Sequence, residues 1–346
     1  MKHVEAYGTK AADKDLEQIT IKRRTLLPSD VQIRISYCGV CHTDIHFARN
    51  ELGMTEYPCV PGHEIIGRVT GLGRDVSRFR LDQLVGVGCM VDSCNECSSC
   101  DDDLEQFCEN GMTLTYSSPD PILGGMTMGG YSQEIVVDER FVLRLEENLD
   151  NPGAAPLLCA GITMYSPLRQ YSIGRGDKIG IIGLGGLGHM GIKLADAMGA
   201  QVYAITSSES KFQDAIDLGA KGVLITSDAQ AIESEIGTYD LLINTIPADH
   251  DFSQYLGLLK RDKTMVIVGA SHMKMFSMNL LFGRKKVAGS LIGGIKETQE
   301  MLDFCAKNNI FSDIEVVHIK DINKVFDRVV SNQVRYRAVI DMSKLT

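Results

Sequence analysis

Residues 178–200 read KIGIIGLGGLGHMGIKLADAMGA. An apolar run suited to a buried strand gives way to glycines spaced G-x-G-x-x-G: Gly183, Gly185 and Gly188, with Leu184, Gly186 and Leu187 between them. Leu187, Met190, Leu194 and Ala197 then recur at helical spacing, an apolar stripe for a helix lying on a sheet. Such a loop is weak evidence alone, because glycine-rich turns are common. Between a strand and a helix it predicts a pyrophosphate cradle. Missing side chains let the backbone approach the phosphates, and the helix N-terminus supplies N–H donors and partial positive charge.

Working outward, QVYAIT (201–206), GVLIT (222–226), YDLLINTI (239–246), TMVIVGA (264–270) and VAGSLI (287–292) are further apolar runs, most separated by helix-length segments. That alternation predicts an α/β domain with a doubly wound parallel sheet. Upstream the texture differs. VQIRISYCGV, EIIGRVTGLG, QLVGVGCMV and YSQEIVVDERFVLRL are short, glycine-punctuated runs of a mainly antiparallel sheet or partial barrel. After 293 comes a helix, KETQEMLDFCAKN, followed by strand-like IEVVHI and RYRAVIDM. This tail is expected to rejoin the first domain, giving a discontinuous domain of 1–155 with 293–346 around a nucleotide domain of 156–292.

At 346 residues two domains are the default expectation. The formal net charge of −10 argues against a large nucleic-acid footprint, and the lack of long Lys/Arg clusters against an anionic membrane surface. MKHVEAYGTK has no signal-peptide core, and no apolar run is long enough to span a bilayer. A cytoplasmic location is expected, where clustered cysteines more often bind metal than pair.

Four of the ten cysteines lie in CNECSSCDDDLEQFC, at 94, 97, 100 and 108. Disulfides between cysteines so close would strain the backbone, whereas an iron–sulfur cluster also uses closely spaced thiolates. The four thiolates best match a closed tetrahedral structural zinc, with no position left for substrate. A quieter set is scattered through CGVCHTDIH (38–46), PGHEIIG (61–67) and PLLCAGIT (156–163). Cys41, His63 and Cys159 would form a Cys₂His set with an open fourth position, as catalytic zinc requires. Cys38 and Cys59 read as buried thiols.

The second strand of a dinucleotide fold ends in an acid when the ribose 2′-OH must be bound. Here AITSSESK (204–211) offers Thr206, Ser207, Ser208 and Lys211 instead, which suits a 2′-phosphate and so NADP(H). Glu209 is the discordant group.

GVCHTDIH, PGHEIIGRV, the four-cysteine run, GGYS, LLCAGIT, GLGGLGHMGIK, TSSESK, GGIKETQEMLDFC and VRYRAVIDM occur in one order along the chain. In this the sequence resembles the zinc-dependent medium-chain dehydrogenases, in the cinnamyl alcohol dehydrogenase branch that includes bacterial broad-range NADP-dependent aldehyde reductases. The resemblance implies a GroES-like, mainly-β catalytic domain plus a Rossmann domain, two zinc ions per chain, an alcohol or aldehyde substrate, and a homodimer joined along VAGSLIGG (287–294). It implies that Cys41, His63 and Cys159 ligate the catalytic zinc, that Glu64 ligates it when substrate or water is displaced, and that Asp44 orients the histidine. It gives Thr43 the hydrogen bond to the substrate oxygen and His46 the outer place in a proton relay. His42, Thr163, Thr245, Gly269, Ser290 and Ile292 fall where the family lines the cofactor site. The implied chemistry is hydride transfer between nicotinamide and a zinc-polarised carbonyl.

The chain has no tryptophan, and Leu114 and Leu291 stand where phenylpropanoid-specific members often carry rings. With Leu52 and Ile292 they suggest a broad aliphatic pocket. An NAD-dependent zinc polyol or threonine dehydrogenase would predict an acid at the end of the second strand, where Thr206 and Ser207 stand. A non-enzymatic zinc and nucleotide redox sensor would predict a degraded metal set or a basic face. The sequence has none of these.

Overall fold

The computed structural model describes residues 1–345. The chain divides into two compact units, residues 1–159 with 293 onward, and Ala160–Ile292. The first junction falls at 159/160 rather than 155/156. The 3₁₀ helix Pro152–Leu158 packs against the strands of the first unit and carries Cys159 with it.

In the first unit the strand Asp30–Val40 is central. Val31, Ile33 and Ile35 point into the core while Arg34 is exposed, the alternation of a sheet with one covered face. Its antiparallel neighbour on one side is Ile65–Leu72. On the other side two strands share it. Glu134–Asp138 pairs with its first half and Arg337–Asp341 with Tyr37–Val40. YSQEIVVDERFVLRL is therefore not one strand: a 3₁₀ turn at Glu139–Phe141 separates Glu134–Asp138 from Leu143–Arg144. QLVGVGCMV likewise splits into Leu84–Val87 and Met90–Asp92. In the C-terminal strand Ala338, Val339 and Ile340 are fully buried, so apolar burial on both faces draws the tail back to this sheet. Ile314–His318 lies parallel beside it.

The second unit holds a six-stranded sheet in which every pairing is parallel. Lys178–Ile182 lies between Gln201–Thr206 and Tyr239–Asn244, so the strand order reverses at the glycine loop. Ligands of open α/β sheets bind at such a reversal, beyond the carboxyl ends of the strands. Ile179, Ile181, Val202, Ala204, Leu241 and Ile243 are buried, as strands covered on both faces require. The following helix, Gly188–Ala197, buries a different face from the expected stripe. Met190 and Leu194 are buried together with His189, Gly191, Ile192 and Ala195, whereas Ala197 is exposed and Leu187 half-buried. The helix is covered by the neighbouring helix Ala160–Gln170 as well as by the sheet, so its buried face is wider and rotated. At the far edge of the sheet, VAGSLIGG is strand only over Lys286–Gly289.

Candidate active site and metal centres

Cys41 follows the central strand and caps the helix His42–Ala48. His63 and Glu64 precede the neighbouring strand, and Cys159 follows the 3₁₀ helix. One ligand atom from each of these four residues lies within 4.8 Å of the others, and all four residues are buried. Asp44 is the hub that holds them. Its carboxylate accepts from the Cys41 N–H at 2.8 Å, the Gly62 N–H at 3.0 Å and the Tyr131 hydroxyl at 3.2 Å, and His63 Nδ1 stands 3.3 Å away. With Nδ1 committed to Asp44, Nε2 is the nitrogen left for a metal.

Two thiols and a carboxyl are thus packed together out of water. The Cys41 thiol titrates well below its usual range, chiefly because it shares a proton with Cys159, and Cys159 correspondingly well above. Burial pushes the Glu64 carboxyl up to about 7, against the pull of Arg337. One Glu64 oxygen pairs with the Arg337 guanidinium; the other, Oε2, is buried with no hydrogen-bond partner. A buried, partnerless carboxylate oxygen beside two competing thiols is the environment that a divalent cation satisfies. The residues present fit zinc.

The four-cysteine lobe fits one too. Cys94 and Cys97 Sγ lie 3.9 and 3.6 Å from Cys100 Sγ. A zinc tetrahedron with bonds of about 2.3 Å has edges of about 3.8 Å. Backbone N–H groups of Cys94 and Glu109 point at Cys108 and Cys97 sulfur, each at 3.4 Å, as thiolates favour. All ten cysteines are free, and Cys38 and Cys59 are buried as expected.

Beside the three-ligand site, Thr43 Oγ lies 3.6 Å from Cys41 Sγ. His46, on the same helix, faces outward with Nδ1 2.5 Å from Glu51 Oε2. The His42 ring, half-buried, stands 5.9 Å from that of His46, and burial lowers its pKa.

In the second unit Gly183 has φ +91°, and a Cβ on Gly188 would meet Gly183 O at 2.1 Å. Gly185 has no such reason. It is exposed, and a Cβ there would meet nothing within 4 Å, so packing within the chain does not require glycine at this position. Thr245 Oγ donates to Ile182 O at 2.9 Å, and Gly269 packs against Ile246 O. Thr206 Oγ accepts from Ser208 N–H at 3.2 Å, while Ser207 and Glu209 are exposed. Lys211 Nζ reaches back to Leu184 O at 2.9 Å, bridging the glycine loop and the second strand's end. Ser290 N–H donates to Ile267 O at 3.1 Å, Ile292 is nearly buried, and Thr163 is buried on its helix. The expected aliphatic lining is mixed. Leu52 and Leu291 are exposed, but Leu114 packs beside Phe47, Cys59 and Tyr116.

Arg337, Tyr131, Tyr116 and Cys89 also reach the three-ligand site, and sequence reasoning did not single them out. None of the four carries a local signal: Arg337 heads the strand Arg337–Asp341, whose other end is also charged.

A switch-point glycine loop in one unit and a buried Cys₂His-carboxylate cluster in the other define the class of metal-dependent dehydrogenases. The sequence model of the alcohol dehydrogenase GroES-like domain matches residues 27–147, and that of the zinc-binding dehydrogenases matches 186–307. The aldehyde reductase YahK of Escherichia coli is 50% identical over 99% of both chains. NADP-dependent alcohol dehydrogenase C 1 of Mycolicibacterium smegmatis is 47% identical over 100% of this chain and 99% of its own. Among solved structures, the cinnamyl alcohol dehydrogenase SbCAD4 of Sorghum bicolor superposes with a TM-score of 0.96 at 40% identity, covering 99% of this chain and 98% of that one. The Helicobacter pylori cinnamyl alcohol dehydrogenase, complexed with NADP(H), superposes with a TM-score of 0.92 at 39% identity, covering 99% of each. This chain belongs to the zinc-containing medium-chain alcohol dehydrogenase family.

Proposed function

We propose that this chain interconverts primary alcohols and aldehydes with NADP(H), as a broad aldehyde reductase rather than a phenylpropanoid specialist. The observation that carries this reading is the buried Cys41, His63, Glu64 and Cys159 cluster with its partnerless Glu64 oxygen. Zinc bound there supplies Lewis-acid polarisation of the substrate oxygen, and the nicotinamide supplies or accepts hydride. Cys41, His63 and Cys159 hold the metal, and Asp44 orients His63. Arg337 keeps one Glu64 oxygen occupied and leaves the other without a partner. Thr43 Oγ holds a proton next to Cys41, and His46, paired with Glu51 on the exposed side of the helix, exchanges protons with water. Cys94, Cys97, Cys100 and Cys108 hold a second zinc that takes no part in the chemistry.

In the second unit the backbone of Gly183–Gly188 receives the pyrophosphate. Thr206, Ser207, Ser208 and Lys211 receive the 2′-phosphate; His42, Thr163, Thr245, Gly269, Ser290 and Ile292 complete the cofactor contacts. Glu209, exposed like Ser207, is the one acid among these groups. The chain works as a cytoplasmic homodimer, paired along the edge strand Lys286–Gly289 near the exposed Phe276, Leu281 and Phe282. Among the described residues no helix is long and apolar enough to cross a membrane.

The test is a panel of aliphatic and aromatic aldehydes and alcohols, each assayed with both nicotinamide cofactors. Aldehyde reduction should be favoured by NADPH over NADH by at least about tenfold in kcat/KM, the worth of one charge-assisted hydrogen bond. Equal rates would remove the 2′-phosphate assignment, and no turnover of any aldehyde or alcohol would remove the reaction.

A further inference from the structure

We propose that Tyr116 is a positioning residue for the metal ligand His63, acting through the face of its ring and not through its hydroxyl; this rests on the three-ligand reading above. Tyr116 is buried, and its ring lies nearly parallel to the His63 imidazole, with centroids 5.6 Å apart and planes inclined by 25°. On its other side the ring of Phe47 meets it edge-on, at 5.3 Å and 84°. Phe47 belongs to the helix that begins at Cys41 and carries Asp44. The same helix therefore touches His63 twice: through the Asp44 carboxylate at Nδ1, and through Phe47 and Tyr116 at the ring face.

The two contacts do different work. A single contact at 3.3 Å from Nδ1 to Asp44 fixes one point of the imidazole and leaves its plane free to tilt. A metal needs the Nε2 lone pair aimed, which requires the plane as well. Offset stacking at this separation supplies that second restraint. Tyr116 is itself held firmly. The preceding residue, Thr115, donates its N–H to Cys89 O at 3.1 Å and its hydroxyl to Gly88 O at 2.5 Å. These bonds extend the ribbon formed by Met90–Asp92 and Thr113–Leu114, whose far end opens into the four-cysteine lobe.

The Tyr116 hydroxyl, by contrast, is buried with no hydrogen-bond partner of normal geometry. It interacts with the Asp44 carboxylate, but that group already accepts from the Cys41 and Gly62 N–H groups and from the Tyr131 hydroxyl, so the Tyr116 oxygen is not needed to hold it. Removing the oxygen should cost the site nothing. Removing the flat ring should release the imidazole plane.

The experiment uses the full-length zinc protein and its Tyr116→Phe, Tyr116→Leu, Tyr116→Met and Cys159→Ser variants. Zinc per chain is counted, the affinity of the weaker site is measured by chelator competition, and the absorption bands of the cobalt(II)-substituted site are recorded. Wild type should hold two metals and Cys159→Ser one. Tyr116→Phe should match wild type within about twofold, while Leu and Met lose about tenfold in affinity at the three-ligand site, the scale of a lost outer contact to a ligand. Their cobalt bands should shift while the lobe keeps its metal. Wild-type affinity and bands in the Leu and Met variants would overturn the proposal, as would loss of both metals together through unfolding in both, which marks Tyr116 as packing alone. A weakened Tyr116→Phe would overturn the exclusion of the hydroxyl. A wild-type count of one, unchanged in Cys159→Ser, would instead remove the three-ligand reading itself.

Discussion

Arg337 is joined to Glu64 across 273 positions of sequence, and both side chains are buried. Two charges taken out of water hold each other only as a pair, so deleting one strands the other. Arg337→Met is expected to lower stability by about 3 kcal/mol in urea denaturation. An unchanged midpoint would mean that the pair does not form in solution. That Cys41, His63 and Cys159 come together was legible because thiolates and imidazoles beside strand ends are the residue types that zinc takes. Arg337 was not, because a lone arginine ahead of an apolar strand has no local signature and its partner is set only by the sheet. Tyr116 was hidden for a related reason: in MTLTY nothing distinguishes a tyrosine that faces a ligand from one that fills a core.

The strands of the second unit were visible as apolar runs, and the glycine loop fixed which of them comes first. The helix behind that loop was harder, since its buried face depends on a second helix that periodicity does not report. Charge at the strand ends offers a test. Asp240, in Tyr239–Asn244, accepts from Lys178 N–H at 3.1 Å and Lys260 Nζ at 2.6 Å, with Lys263 Nζ at 3.2 Å. Burial alone would raise its pKa; the lysine contacts outweigh it and the carboxyl titrates below its ordinary value. A carboxyl depressed in the folded state lends stability that is present above its unfolded pKa of about 4 and is lost as the pH falls through the folded value. Asp240→Asn should therefore lower Tm at pH 7 and lower it progressively less below about pH 4. A Tm difference independent of pH would assign the effect to packing instead.

For the molecule as a whole, the exposed face near the edge strand is the feature that an isolated chain does not explain. Phe282 is 72% exposed and Leu281 68%. Rings and aliphatic chains left in water beside an unpaired strand edge invite a partner. Phe282→Glu should shift the chain from dimer to monomer in analytical ultracentrifugation, whereas a wild-type monomer would remove the proposed assembly. The edge itself was legible as the last apolar run of the parallel domain, but the exposure of Phe276, Leu281 and Phe282 was not, because composition does not say which apolar groups the fold leaves outside.

The discontinuous sheet also has a temporal side. Tyr37–Val40, the segment that delivers Cys41, pairs on one side with Ile65–Ile66 and on the other with Ala338–Asp341, and the Gln133 side chain reaches Leu345 O at 3.2 Å. A chain emerging from the ribosome completes the inserted parallel sheet first, while the ligand-bearing strand still has an open edge. Arg337, the counter-charge to Glu64, lies beyond the whole inserted unit in sequence. The four-residue cluster thus gains its counter-charge only after the inserted unit has been made, and a chain ending before Arg337 would carry all four ligand residues with Glu64 unpaired.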